Sequence, residues 1–248
     1  MKKSLKKYLP KKADYPNQLD ILNNTNSEYY CNAIEGAASA YFNSPFLVKK
    51  LFFKRLELAI NLIDKRKYAK VLDAGTGIGI MLPFLSQVSE KVKAIDYTNI
   101  LDYARAMTKK RGIHNVSFEK MDLANLKENE KFDLIICLSV LEHIEDTEKI
   151  FQKFKGILNE KGLLIVGYPI ESNLMKLIRK LEALIFRKDM SKEVREHNYS
   201  KSEKFTGHIS DWKKIDNSMK KYFKIDQDIN LSFCFFKYYA LRKAYNQD

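Results

Sequence analysis

The sequence is poor in the residues that build disulfide frameworks, metal sites and membrane spans. Its 248 residues include three cysteines, Cys31, Cys137 and Cys234, which are too few and too scattered for a disulfide framework or a zinc motif. A reducing compartment, the cytoplasm, is therefore expected. No stretch reaches the roughly 18 uninterrupted apolar residues of a membrane-spanning helix. Because no apolar run follows residues 1–4, no secretory signal is expected either.

Glycine is also scarce, and its distribution is informative. Three of the nine glycines, Gly75, Gly77 and Gly79, stand at alternate positions directly after the apolar residues 71–72 and Asp73. This order predicts a buried strand, a tight turn and the start of a helix. Glycine permits positive φ and lets a ligand approach the backbone, and a helix N-terminus offers free N–H groups. The stretch therefore predicts a nucleoside-binding turn.

Charge has two interpretations. Lys and Arg outnumber Asp and Glu by 44 to 31, which gives a formal net charge of +13. Such an excess is typical of proteins that bind nucleic acids or anionic membranes. It is equally compatible with a lysine-rich composition throughout an ordinary globular protein, because hydrophobic residues make up 45% of the chain.

The apolar pattern predicts a doubly wound α/β fold. An amphipathic helix is expected from Phe46 to near Lys65, and strands then alternate with helices. Strands are predicted at 70–73, 93–96, 116–122, 132–138, 162–167, 223–229 and 233–241, and the intervening helices at 78–89, 100–111, 147–158 and 211–222. We expect a Rossmann-like, seven-stranded, mostly parallel sheet with an antiparallel last strand. Residues 1–65 would form a tail and helix and 66–248 the main domain, with an insertion at 170–210.

Three carboxylates fall at or near the predicted strand ends, where open α/β sheets bind ligands. Asp73 precedes the glycines, and Asp96 follows them by about 20 residues, the separation at which an acidic residue binds ribose hydroxyls. Asp122 is positioned to accept the exocyclic amino group of an adenine. Together the three residues predict an adenosine-containing cofactor.

The glycine spacing argues against two common nucleotide sites. The dinucleotide fingerprint requires a third glycine at the position of Ile80, and here the glycine comes one residue earlier, at Gly79. The phosphate-loop motif with Lys and Ser or Thr is absent as well. A nicotinamide-dependent oxidoreductase is therefore a disfavoured alternative.

The ordered set of glycines and carboxylates resembles the class I S-adenosylmethionine-dependent methyltransferases. The resemblance implies that Asp73, Gly75, Thr76, Gly77 and Gly79 hold the amino-acid part of S-adenosyl-L-methionine. It also implies that Asp96 binds the ribose, that Tyr97 lies against the adenine, and that Asp122 and Leu123 contact the adenine rim. Leu138, at the end of the fourth strand, completes the implied cofactor set.

The segment after the fourth strand indicates the class of acceptor. Residues 138–146 lack the Asn/Asp-Pro-Pro-aromatic motif of base methyltransferases and resemble the branch that methylates quinone precursors, sugars and lipids. We therefore expect O-methylation of a small molecule, a sugar or a lipid-linked intermediate, with an RNA methyltransferase as the alternative. Quinone O-methyltransferases carry a metal-binding Glu where this chain has Ser139, so no metal is expected.

Two histidines are candidate catalytic bases. His143 follows Glu142 at the mouth of the predicted pocket, where it would either accept a proton from a substrate hydroxyl or shape the cofactor floor. His208 lies at the edge of the insertion and is either a second candidate or simply exposed.

A basic amphipathic helix is predicted at 174–188, within the insertion. Its apolar stripe would face the protein as a lid, or its basic face would contact an anionic membrane as a peripheral anchor.

Overall fold

The computed structural model describes residues 8–15, 41–42, 46–127, 129–170, 209–230 and 236–244, with the side chains of 47 and 48 excepted. Its strands are β1 (Tyr68–Ala74), β2 (Ser89–Asp96), β3 (Val116–Lys120), β4 (Phe132–Leu138), β5 (Leu158–Pro169), β6 (Phe223–Asn230) and β7 (Phe236–Lys243). Within the described ranges they form one seven-stranded sheet in the order β3-β2-β1-β4-β5-β7-β6. Strands β1 to β5 pair in parallel, and β7 is antiparallel to both β5 and β6. The predicted fold class is therefore confirmed.

Helices connect the strands and cover both faces of the sheet. They are α1 (Phe46–Asn61), α2 (Leu82–Val88), α3 (Leu101–Lys110), α4 (Thr147–Ile157) and α5 (Trp212–Tyr222). Strand β1 pairs with β2 on one side and β4 on the other, so the chain winds outward in both directions from β1. The switch point of the sheet, where such folds bind ligands, therefore lies between β1 and β4.

Both faces of the central strands are buried, as a near-continuous apolar run predicts. In β4, Leu134 and Ile136 join the hydrophobic cluster under α1, α2 and α3. Ile135 and Cys137 join the cluster under α4 and α5 on the opposite face. The alternation follows from the two-residue period of a strand.

Helix α1 packs on the sheet through its apolar stripe. Leu56, Ala59 and Ile60 belong to the same cluster as Val71 of β1. The helix ends at Asn61, four residues before the predicted end, and the chain then tightens through i to i+3 hydrogen bonds that lead into β1.

The predicted start of the second helix was wrong. Residues 77–81 form turns, and α2 begins only at Leu82. Pro83 is the physical reason, because proline lacks an N–H donor and is tolerated only in the first turn of a helix. The glycine turn therefore does not run directly into a helix N-terminus.

The part of the chain that the structure describes contains no helix long and apolar enough to cross a membrane. The predicted basic helix 174–188, His208 and nearly all of the 170–210 insertion lie outside the described residues.

Candidate active site

The glycine turn follows β1 directly in the chain and is hydrogen-bonded to the end of β2. Gly75, Gly77 and Gly79 all adopt positive φ, at 82°, 54° and 79°. The N–H of Gly75 donates to the carbonyl oxygen of Ile95 over 2.9 Å. A Cβ atom at Gly75 would lie 2.2 Å from the side chain of Val140. Both the backbone conformation and the close approach therefore require glycine at position 75.

Gly79 serves packing rather than the cavity. A Cβ atom there would lie 2.8 Å from the Ala104 Cβ and 2.8 Å from Leu82 Cδ1. The missing side chain therefore lets α3 pack against the turn. Among the ten residues predicted to bind the cofactor, Gly79 is the one that the structure does not bring to the cavity.

A cavity of about 550 Å³ opens at the carboxyl ends of the parallel strands. This volume lies within the range of small-molecule sites. The cavity is lined by His143 and by the other nine predicted cofactor residues, namely Asp73, Gly75, Thr76, Gly77, Asp96, Tyr97, Asp122, Leu123 and Leu138.

One end of the cavity lies beside β2 and β3, and we call it the carboxylate end (Asp96, Tyr97, Thr98, Asp122 and Leu123). The Asp96 carboxylate accepts hydrogen bonds from the Gly77 N–H at 2.9 Å, the Thr98 N–H at 3.0 Å and the Thr98 hydroxyl at 2.8 Å. These donors fix the carboxylate. Both Thr98 bonds go to Oδ1, whereas Oδ2 accepts, among the described residues, only from Gly77 and keeps a lone pair that can accept from a ligand.

Asp122 does not end a strand, contrary to the prediction. β3 ends two residues earlier, and Asp122 instead caps the short 3-10 helix Leu123–Asn125. Its carboxylate accepts the Ala124 N–H at 2.8 Å. The local cause is the preference of a short acidic side chain for capping backbone N–H groups.

Asp73 lies at the base of the cavity with only 5% of its surface exposed. Burial raises the pKa of this carboxyl to about 7; the hydrogen bond donated by the Thr76 hydroxyl lowers it and the nearby Asp96 raises it. A cationic ligand in the cavity would favour the charged form of Asp73.

The opposite end lies beside β4, β5 and β7, and we call it the arginine end (Tyr41, Arg55, Leu56, Ser139 and Tyr238). Arg55 is 7% exposed. Its Nε donates to the Tyr238 hydroxyl over 3.2 Å, and its guanidinium also donates to the Ser139 hydroxyl. Among the described residues no carboxylate forms an ion pair with this guanidinium. The arginine end therefore offers a desolvated cation to a ligand in the cavity.

Glu142 lies near this cation without pairing with it. Burial raises the pKa of the Glu142 carboxyl to about 7, and the field of Arg55 lowers it. Burial also lowers the pKa of Arg55, but its interactions with Tyr238, Tyr41 and Glu142 raise it above the ordinary value. The guanidinium consequently keeps its charge. The Glu142 Oε2 atom is buried and has no hydrogen-bond partner among the described residues.

His143 lies at the mouth of the cavity, in the 3-10 helix Leu141–His143. Ile144 and Ile209 line the same region. The N–H groups of Ile209 and Ser210 donate to the Glu142 carbonyl oxygen over 2.8 and 3.1 Å. The chain therefore returns from the insertion at the mouth, next to the imidazole. His208, the second predicted base, lies outside the described residues.

Sequence reasoning missed the arginine end. Arg55 stands three residues after Phe52 and four before Ala59, so helical spacing alone places it on the apolar face of α1. A charge on that face was the available signal. No local pattern marks Tyr238 or Ser139, which has a positive φ of 56°. Within the described ranges no cluster of His, Cys, Asp and Glu is arranged to hold a metal.

Known proteins resemble both the sequence and the fold. A ubiquinone biosynthesis O-methyltransferase from Actinobacillus pleuropneumoniae is 33% identical over 102 residues, which cover 38% of this chain and 43% of that protein. The chain thus matches less than half the length of this relative. The N-methyltransferase NodS from Bradyrhizobium japonicum, solved with S-adenosyl-L-homocysteine, has a TM-score of 0.60 at 16% identity, covering 90% of this chain and all of that one. Magnesium protoporphyrin IX methyltransferase from Synechocystis, also solved with that product, has a TM-score of 0.59 at 18% identity, covering 90% of this chain and 97% of that one.

The family model described as a methyltransferase domain matches residues 65–225, well over half of the chain. That range includes the glycine turn and every described carboxylate of the cavity. The chain therefore belongs to the methyltransferase domain family, which confirms the class I S-adenosylmethionine-dependent methyltransferase, and the cofactor, that the sequence predicts.

Proposed function

We propose that the protein transfers the methyl group of S-adenosylmethionine to an oxygen atom of a small-molecule or lipid-linked acceptor. The observation that carries the proposal is the pairing of opposite chemistries across one cavity. The carboxylate end presents acceptors for a ribose diol, and the arginine end presents a cation without a carboxylate partner among the described residues. The cofactor carries its ribose and its carboxylate on opposite sides of the sulfonium.

The described residues suit this cofactor group by group. Asp96 would accept the ribose hydroxyls in charge-assisted hydrogen bonds. Tyr97, whose side chain is largely exposed at the cavity, would lie against the adenine, and Asp122 would accept the adenine amino group. Arg55 would bind the carboxylate, because a guanidinium matches a carboxylate in a bidentate pair. Asp73 would face the ammonium and sulfonium charges.

When bound, the cofactor would supply a methyl group that is activated by its bond to the positively charged sulfonium. The task of the chain is mainly to align the acceptor oxygen with that methyl group and to exclude water. His143 would accept the proton of the acceptor hydroxyl, since its imidazole lies at the mouth where an acceptor enters. The rate of methyl transfer by His143→Asn separates this role from the alternative. A slower transfer is expected if His143 accepts the proton, and an unchanged transfer if His143 only shapes the cofactor floor.

The mouth favours an acceptor with an apolar body. Ile144 and Ile209 line it beside His143. The A. pleuropneumoniae relative is named for O-methylation in ubiquinone biosynthesis, which supports oxygen as the acceptor atom. A hydroxyl on an apolar ring is therefore the acceptor class that we propose.

RNA methylation is the second candidate, and the charge of +13 is the observation that favours it. Phosphate contacts would make the affinity for RNA fall steeply as salt rises. A filter-binding titration of structured RNA at low and moderate salt tests this candidate. If the protein does not bind RNA even at low salt, RNA methylation is ruled out.

Peripheral membrane contact through 174–188 stays a prediction, because that segment lies outside the described residues. Flotation with vesicles of neutral and anionic lipids, using the full chain and a variant with neutralised lysines in 174–188, would test it.

Two measurements test the main proposal. Isothermal titration should show binding of S-adenosylmethionine and S-adenosyl-L-homocysteine and none of NAD. Incubation with a panel of phenols, catechols and amines, read by mass spectrometry, should show the gain of one methyl group on a phenolic oxygen. Binding of NAD in place of S-adenosylmethionine would overturn the cofactor, and methylation only of amines would overturn the acceptor atom.

A further inference from the structure

The Arg55 guanidinium is held by neutral groups on several sides. Tyr238 accepts from Nε, and Ser139 accepts from a terminal nitrogen. The Arg55 Cζ atom lies 3.8 Å from the centroid of the Phe236 ring and 4.7 Å from that of Phe52. These contacts restrict the orientation of the guanidinium, and none of them forms an ion pair with its charge. Such preorganisation lowers the entropy cost of binding an anion.

The place of the Tyr238 ring depends on Gly167. The two residues pair directly between β5 and β7. A Cβ atom at Gly167 would lie 2.5 Å from both Cδ1 and Cε1 of the Tyr238 ring. Gly167 does not have a positive φ, so space rather than backbone conformation requires glycine here. The missing side chain lets the Tyr238 ring lie across β5 and reach Arg55.

The side chains of β7 alternate between the two faces of the sheet, so that one set contacts Arg55 and the other contacts Asp216. Phe236 and Tyr238 point to one face and contact Arg55. Lys237 and Tyr239 point to the other face, where both bond to the Asp216 carboxylate. Tyr239 is therefore a matched control for Tyr238, since it is a buried tyrosine in the same strand with a hydrogen bond that does not involve the cavity.

We propose that Tyr238 is a positioning residue, which together with the space left by Gly167 aims Arg55 at the carboxylate of the cofactor. The inference rests on the proposed function, in which Arg55 binds that carboxylate. The inference predicts that a change at Tyr238 affects ligands with the carboxylate and not ligands without it. Loss of the Tyr238 hydroxyl weakens only those ligands that carry the carboxylate, because adenosine and ribose contacts lie at the other end of the cavity.

The test compares two ligands by isothermal titration: S-adenosyl-L-homocysteine and its decarboxylated analogue, which keeps the amine. For Tyr238→Phe we expect the affinity for S-adenosyl-L-homocysteine to fall about five- to tenfold, the size of one ordinary hydrogen bond, because the lost bond orients Arg55 and does not itself contact the ligand. The affinity for the decarboxylated analogue should stay within about twofold of wild type. Gly167→Ala should show the same selectivity, and Tyr239→Phe should change neither affinity.

The outcomes separate this inference from the function on which it rests. A wild-type protein without preference for the carboxylate-bearing ligand would overturn the role of Arg55, and with it this inference. A wild-type preference that Tyr238→Phe leaves intact would overturn the positioning role alone. Equal weakening of both ligands in Tyr238→Phe would also overturn it, because that result indicates general support of the cavity. Circular dichroism verifies that each variant is folded. If Gly167→Ala does not fold, Tyr238→Phe alone tests the positioning role.

Discussion

The two ends of the cavity are built from different kinds of sequence information. At the carboxylate end the partners lie within 19 residues of one another in the chain, since Thr98 bonds Asp96 and Ala124 bonds Asp122 from two residues away, and Gly77 bonds Asp96 across 19. At the arginine end, Arg55 bonds Ser139 and Tyr238 across 84 and 183 residues. A local motif thus specifies the nucleoside side, whereas tertiary packing alone assembles the side that we assign to the amino acid.

The largest expected effect is at the arginine end. Arg55→Met should weaken binding of S-adenosyl-L-homocysteine on the order of a hundredfold, because truncating one partner of a desolvated charge pair costs several kcal/mol. The ligand-free variant should melt no lower than wild type, since a buried cation without a carboxylate partner contributes little stability. Titration and thermal melting check both. Lys54→Met, which removes an exposed cation paired with Glu57, is the control; equal affinities in wild type and Arg55→Met would remove the basis of the comparison.

At the carboxylate end, Asp96→Ala should weaken the same ligand by about 1.5–3 kcal/mol, the value of hydrogen bonds to a charged group. Asp122→Asn should cost less, because that side chain is exposed. Titration of both variants ranks the two carboxylates. A larger loss for Asp122→Asn would mean that the ribose binds elsewhere.

Glu142 allows a prediction about pH that needs no ligand. The pKa of this carboxyl rises from 4.5 to about 7 on folding, mainly through burial. Between those pH values the folded state binds the extra proton, so the free energy of unfolding falls as pH rises and levels off above about 7. Glu142→Gln should remove about 3 kcal/mol of this pH dependence, since each pKa unit corresponds to about 1.4 kcal/mol, measured by urea unfolding across the window. Asp73 contributes in the same direction and remains, so the slope should decrease without vanishing; an unchanged slope would contradict the buried position of Glu142.

The smallest effect is expected from Thr98→Val. The substitution removes the hydroxyl that bonds Asp96 but keeps the N–H donor and the shape of the side chain. We expect about threefold weaker binding, the lower range for one hydrogen bond. A loss as large as that of Asp96→Ala would show that the hydroxyl, rather than the carboxylate, contacts the ligand.

Much of the fold follows from patterns confined to one segment. The apolar run of β4 and the stripe of α1 depend on the local periods of strand and helix, so their positions were predicted within a few residues. The helix after the glycine turn was misplaced because Pro83 limits where it begins, which the apolar pattern does not show. The end of β3 was predicted two residues too late, because Asp122 caps the following 3-10 helix instead of continuing the strand.

The candidate site was predictable only in part, for the same reason. The glycines and Asp96 form a spaced motif, and the cavity contains nine of the ten residues drawn from it and its surroundings. Gly79 shows that a motif residue can serve packing instead. Tyr238 could not be found, since its role depends on the pairing of β7 with β5 and on the space above Gly167.

A crystal structure of the complex with S-adenosyl-L-homocysteine tests the central claim most directly. We predict that the homocysteine carboxylate bonds the Arg55 guanidinium while the ribose hydroxyls bond the Asp96 carboxylate. A complex in which the homocysteine carboxylate points to solvent, or in which the ribose lies at the arginine end, would contradict the account.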